Sequence, residues 1–223
     1  MSDETTWSAL HLFCGAGAAV GAGAIEVALK ECEAAGQQVV TVALLGHKAD
    51  LGVLAIGPDE GPQRVLQSAL VRAGCRVNFS YVSRTEVSEY AAGVPEAMRE
   101  ARLHPVLPPE GLAAFCFYPM SKRRVASDNW YRLPYDERLE LMREHGASGR
   151  KFRGRVLQLV TGSTGLDDWE WGVTLFGRTP DDLKDCVYEM RFDEASARFA
   201  EFGPFLTGTV GAPASVLAAI GWR

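Results

Sequence analysis

Apolar residues alternate with polar ones, or gather in short β-branched runs, at 8–14, 39–46, 51–56 and 75–82, and runs of that length and make-up predict strands. Between them, apolar positions recur at helical spacing over about 24–35 and 62–73. The second half repeats the plan, with strand-like runs at 113–118, 155–160, 170–176 and around Phe199, and helical patterns at about 134–145 and 180–190. A local likeness strengthens the repeat: Gly52-Val53-Leu54-Ala55-Ile56-Gly57-Pro58-Asp59 resembles Gly172-Val173-Thr174-Leu175-Phe176-Gly177 with its following Arg178-Thr179-Pro180-Asp181. In both, a strand ends at glycine and a Pro-Asp pair is expected to open a helix, where proline suits the first turn and the carboxylate meets the positive end of the dipole. The pattern predicts an α+β fold of two duplicated units whose mostly antiparallel sheets can join into a barrel-like core with helices outside. The polar stretch 83–111, with Pro95, Pro105, Pro108 and Pro109, reads as the connection between an N-terminal half, 1–105, and a C-terminal half, 106–223.

At 223 residues, 47% of them apolar, the chain can bury a substantial core. No apolar run approaches the roughly 18 residues of a membrane span, and the N-terminus lacks the basic flank of a secretion signal, so a cytoplasmic protein is expected. Five cysteines stand far apart with no C-x-x-C pair, which predicts small core residues rather than a disulfide or zinc framework. A net charge of -5 argues against a nucleic-acid or anionic-membrane binder. That average hides an asymmetry: residues 118–155 hold ten Lys or Arg against five acids, a local +5 against -10 elsewhere. Such a segment suits a small polyanion, or equally a solvated helical face with paired charges.

Several constellations invite chemistry. Gly15-Ala16-Gly17-Ala18-Ala19-Val20-Gly21 follows a strand and precedes a helix, but its third glycine comes one residue late for a dinucleotide loop and no ribose-binding acid ends the next strand. It reads as a Gly/Ala-rich turn. Of four histidines, His11, His47 and His104 read as structural. His145 shares a helical face with Leu141 and Met142 and precedes Gly146, a natural helix stop; on its own it reads as a capping histidine or as a metal ligand. Tyr118 ends the apolar run Ala113-Ala114-Phe115-Cys116-Phe117 and leads into Lys122-Arg123-Arg124, so its phenol can hydrogen-bond or yield an electron and a proton beside a cationic cluster.

Together, Tyr118-Pro119-Met120-Ser121-Lys122-Arg123-Arg124, Asp128-Asn129-Trp130-Tyr131, Glu144-His145-Gly146, Gly165-Leu166-Asp167-Asp168-Trp169-Glu170-Trp171 and Tyr188-Glu189-Met190-Arg191-Phe192-Asp193-Glu194 resemble, in order and spacing, the coproheme decarboxylase branch of the chlorite dismutase-like superfamily. The resemblance covers about 102–208, and extends weakly to Gly46-His47-Lys48-Ala49-Asp50-Leu51. It implies two ferredoxin-like halves per subunit, usually in a homopentamer, with iron porphyrin bound by the second half. It further implies His145 as the proximal iron ligand, Tyr118 as the redox-active residue and Lys122 as an aid at the reacting propionate. Gln158 would stand at the distal position, with Arg102, Trp130, Arg191 and Ser196 contacting substrate or propionates. His145 would lean on a carboxylate, with Glu189 and Glu194 as candidates.

The implied activity is peroxide-dependent oxidative decarboxylation of iron coproporphyrin III (coproheme) to haem b through a tyrosyl radical. Hydrogen peroxide would be the co-substrate and coproporphyrin ferrochelatase a transient partner. Two other functions remain open. Chlorite dismutation looks to need an arginine over the distal face, where this chain has neutral Gln158. A haem carrier or sensor could use the same His145 and basic pocket, but would have no need of an oxidisable phenol beside Lys122.

Overall fold

The computed structural model describes residues 5–91 and 93–223. Its first half runs β1 (Ser8–Ala16), α1 (Ala22–Ala34), β2 (Gln38–Leu45), β3 (Leu51–Gly57), α2 (Gly61–Arg72) and β4 (Cys75–Thr85). A helix α3 (Glu96–Leu103) follows; then come β5 (Ala114–Lys122), a 3-10 turn at Trp130–Arg132, α4 (Tyr135–Arg150), β6 (Val156–Gly162), β7 (Trp171–Gly177), α5 (Pro180–Glu189), α6 (Glu194–Ala197), β8 (Ala200–Phe202), β9 (Leu206–Gly211) and α7 (Pro213–Ala219).

All strand pairings are antiparallel, in the order β7-β6-β4-β1-β3-β2-β9-β5-β8. The first half alone reads β4-β1-β3-β2 and the second β6-β7-β5 with β8 and β9, the ferredoxin-like arrangement twice over. Two seams join the halves. β2 meets β9 from Thr41↔Gly211 to Leu45↔Thr207, and β4 meets β6 only at Arg84↔Gly162 and Thr85↔Thr161. The β5–β7 pairing closes the sheet on itself as a ring.

Alternation along the strands sorts side chains into layers. On β5, Phe115 and Phe117 point inward to a core that both halves share with Phe13, Leu54, Ile56, Tyr81 and Phe176. Ala114, Cys116 and Tyr118 point outward, to a layer with Val173, Leu175 and Cys186. The first half's outer layer lies under α1, α2 and α7. All five cysteines are free and buried, as their scatter predicted.

Several details depart from the sequence reading. Gly146 does not stop α4, which runs one more turn to Arg150. α2 opens at Gly61-Pro62 rather than at Pro58-Asp59, whose carboxylate accepts from Gly61 N–H at 2.9 Å. The stretch 83–111 is not all connection, since β4 runs to Thr85 and α3 lies within it. Among the described residues no helix is long and apolar enough to cross a membrane.

Candidate functional site

Strand β5 fixes the axis of the site. Its even-numbered residues share one face, so Tyr118 and Lys122, four apart, lie along one row about 13 Å long. Register carries that face across the sheet: Tyr118 pairs with Val173, and Val173 in turn pairs with Val160. One row over, Cys116 pairs with Leu175 and Leu175 with Gln158. Tyr118 and Gln158 are therefore on the same outer face, two strands and one row apart.

Tyr118 is 6% exposed, stacked on Phe205 (centroids 4.6 Å, 27°) and edge-on to Phe202 (5.6 Å, 71°). Its hydroxyl makes no hydrogen bond among the described residues. Burial drives the phenol well above its ordinary pKa, with the nearby Arg191 charge opposing. Arg191 itself is exposed and lies over the Phe202 ring at 5.4 Å. A phenol so placed is neutral and without a hydrogen-bond partner among the described residues.

Lys122 is 7% exposed. Its ammonium donates to Ala195 O at 2.8 Å and sits over the Trp130 ring at 4.4 Å. Burial lowers its pKa to about 8, although Asp193 and Glu170 pull upward. Glu170, also buried, accepts from Lys122 N–H at 2.7 Å and pairs with Arg124 at 3.6 Å. Trp130 is packed edge-on against Phe199 and Tyr90.

His145 stands on α4. Its Nδ1 bonds Asp193 Oδ2 at 3.1 Å and lies 3.3 Å from Ser196 Oγ. Asp193 is the N-cap of α6, its other oxygen accepting from Ser196 N–H at 2.9 Å. Burial presses its carboxyl upward, but His145 and the Ser196 groups outweigh that and hold it below the ordinary carboxylate range. Neither acid suggested by the sequence serves His145: Glu189 pairs with Lys151 and Glu194 with Arg198. Ser196, read as a substrate contact, is buried at His145 and Asp193. Asp193 itself was missed, although an aspartate directly ahead of Glu194-Ala195-Ser196-Ala197 is an N-cap signal.

Gln158 is half-buried, with its amide against Cys186 Sγ (3.6 Å) and Met190 Sδ (3.7 Å) and close to Gly149 of α4. Arg102 is not drawn into this group; it stands exposed on α3 without a hydrogen bond or ion pair among the described residues.

These features fit an iron porphyrin. Nδ1 of His145 is engaged by a carboxylate, which leaves Nε2, without a partner among the described residues, as the free donor; metal-binding histidines are commonly oriented in this way. α4 has no fully buried residue over sixteen positions, its Leu139, Leu141, Met142 and His145 being half-buried. A surface helix ordinarily buries an apolar stripe, and a large flat ligand under α4 would complete that burial. Lys122 and Arg191 supply charge for carboxylates at the same face.

The chlorite dismutase family profile matches residues 20–211. Coproheme decarboxylase of Thermus thermophilus is 46% identical over 187 residues, covering 80% of this chain and 74% of the relative. Coproheme decarboxylase of Staphylococcus carnosus is 42% identical over 177 residues, 75% of this chain and 70% of the relative. The solved structure of a haem-binding protein from Thermus thermophilus superposes with a TM-score of 0.84 at 37% identity, covering 97% of this chain and 96% of that one. The profile match and these identities, over a sheet and site built as described, establish that the chain belongs to the chlorite dismutase family.

Proposed function

We propose that this protein is a coproheme decarboxylase, removing carbon dioxide oxidatively from two propionates of iron coproporphyrin III to give haem b, with hydrogen peroxide as oxidant. The observation that carries this reading is Tyr118: a buried, unpaired phenol between two phenylalanines, on the same strand face as Lys122. The second half, 106–223, is the substrate-binding half. Coproheme, as substrate, brings the iron at which peroxide is reduced. His145 offers Nε2 to that iron, with Asp193 fixing the ring through Nδ1. Tyr118 gives up one electron and its phenolic proton, and its oxygen then recovers a hydrogen atom from a propionate side chain. Loss of a second electron with carbon dioxide leaves a vinyl group. Each propionate carboxylate yields two electrons and one proton, which with one further proton from solvent convert one peroxide to two waters, and two rounds give haem b.

Lys122 holds the reacting carboxylate and Arg191 pairs with another, while Arg102, apart from this group, would reach a propionate only if α3 moved toward the site. Trp130 and Ser196 line the same end. Gln158 presents a neutral amide on the distal side, which disfavours chlorite dismutation because an anionic oxychlorine species would lack a fixed positive partner. A carrier would leave the phenol without a task. The assembly is a cytoplasmic homopentamer that makes transient contact with coproporphyrin ferrochelatase; sizing by light scattering tests the pentamer, and a monomer would refute it.

The decisive experiment adds coproheme to the purified protein, titrates peroxide and follows product masses. Stepwise loss of two carboxyl groups through a three-propionate intermediate is expected, and tight binding with no mass change would instead support the carrier. Tyr118→Phe is expected to bind coproheme normally and lose decarboxylation; normal turnover by this variant would remove the central step.

A further inference from the structure

The Gly46-His47-Lys48-Ala49-Asp50 turn of the first half is outside the site described so far, yet it reaches it. Lys48 donates through Nζ to the carbonyl of Phe205 at 2.6 Å, and Phe205 is the ring stacked face to face on Tyr118. The turn is itself anchored. Asn78 donates to Lys48 O at 2.7 Å and is in turn held by Arg76 at 3.0 Å. Asp50 receives Ala16 N–H at 3.3 Å and bonds through its backbone to Cys14 and Leu44. At the other end of the Phe205 segment, Gly203 N–H donates to Pro119 O at 2.8 Å. A side chain at Gly203 would press on Pro119 and Trp169, so that end has no slack.

We propose that Lys48 is a positioning residue for the proposed decarboxylation: by tying the Phe205 carbonyl to the first half, it holds the Phe205 ring against Tyr118 and so fixes the direction of the phenol oxygen. This inference rests on the reading of Tyr118 as the redox residue. Phe205 sits between Gly203 and β9, which begins at Leu206, and its side chain is not a strand position held by ladder bonds on both sides. Without the Lys48 tie, the ring's orientation depends on packing alone. Hydrogen transfer is sensitive to the placement of the two reacting atoms, and a misplacement of about 1 Å costs about a hundredfold in rate. Lys48 is exposed, so its tie to the Phe205 carbonyl needs no buried charge.

The test uses Lys48→Met, Lys48→Arg and Phe205→Leu in the full chain, with carbon-13 labelled tyrosine. The Tyr118 ring signals, assigned through Tyr118→Phe, carry a ring-current shift from the stacked Phe205 that is measured without substrate. In Lys48→Met that shift is expected to shrink toward its Phe205→Leu value while the melting temperature stays within a few degrees, and Lys48→Arg is expected to restore it. With coproheme bound, kcat should fall about tenfold in Lys48→Met with coproheme affinity unchanged. An unchanged Tyr118 signal in Lys48→Met overturns the inference, and so does a lost shift with full kcat. If Tyr118→Phe itself turns over normally, the functional reading falls and takes the positioning role with it, while the shift still reports the Lys48 contact as purely architectural.

Discussion

A buried ammonium and a buried carboxylate divide the chemistry of this site, and each has a measurable signature. Lys122 ordinarily titrates near 10.5 and is held to about 8 by burial. Between those values the unfolded chain binds the extra proton, so Lys122 makes the fold more stable as pH rises through that window, and its charge is a full cost below it. A propionate beside Lys122 reverses the pull by favouring the charged form. Coproheme binding near pH 8 to 9 should therefore take up a proton, and affinity should weaken as pH rises through about 8. Absorbance titrations across pH would show this slope in the native chain and its loss in Lys122→Met. Asp193 acts through His145 rather than on substrate. Asp193→Asn keeps the shape but removes the negative charge behind the imidazole, and coproheme dissociation should increase by about 10- to 100-fold. A binding isotherm equal to the native one would mean that the Asp193–His145 bond does not tune the ligand.

At the scale of elements, strand periodicity was the most legible signal. β1 to β4 fall within about three residues of their expected ends, because each is a short apolar run closed by Gly, Pro or a polar turn. β9 was missed: Leu206-Thr207-Gly208-Thr209-Val210-Gly211 carries two glycines and reads as loop. Pairing decides it. Gly208 lies against β2 so closely that an added Cβ would meet Ala43 O at 2.2 Å, a constraint no local pattern reveals. α4 outran its expected end for a related reason, since Gly149 in its last turn lies against Gln158 of β6 instead of turning the chain. Tyr118, Lys122, His145 and Gln158 lie on strongly patterned elements that the sequence makes legible, whereas the groups they touch, Asp193 and Phe205, and Lys48 behind Phe205, are brought to them only by folding. The Gly/Ala turn after β1 likewise owes its composition to a neighbour. Gly17 N–H bonds Gly74 O at 2.9 Å, and Gly74, at φ +93°, sits where a Cβ would strike Ala19 O. Gly74→Ala should cost at least about 1 kcal/mol, measured by urea unfolding, and should leave coproheme affinity unaltered.

For the whole molecule, the two seams between the halves are unequal. The β2–β9 seam has five residue pairs in register, while the β4–β6 seam has two and relies on side chains: Ser83 to Thr161 at 2.8 Å, Trp171 to Glu86 at 2.9 Å, and Tyr81 to Ser163. Local opening follows the density of backbone pairing and packing. Amides at Arg84, Thr161 and Gly162 should therefore exchange with deuterium faster than those at Thr41–Leu45 and Thr207–Gly211. Equal protection at both seams would mean that the side-chain bonds fully replace the missing ladder.

Ahead of Arg84, β4 has no β6 residue paired beside it, and Val82 and Val160 are exposed there. Open edges of this kind recruit other chains. Asp167 lies across this one, its carboxylate accepting from Val82 N–H at 2.8 Å, and a fixed negative charge there repels an incoming strand as well as occupying its docking point. That placement suits a guard of the strand edge. Removing that carboxylate, as in Asp167→Ala, should make this notch the place where aggregation begins in a concentrated stock, followed by light scattering, at a site remote from the protein's chemistry.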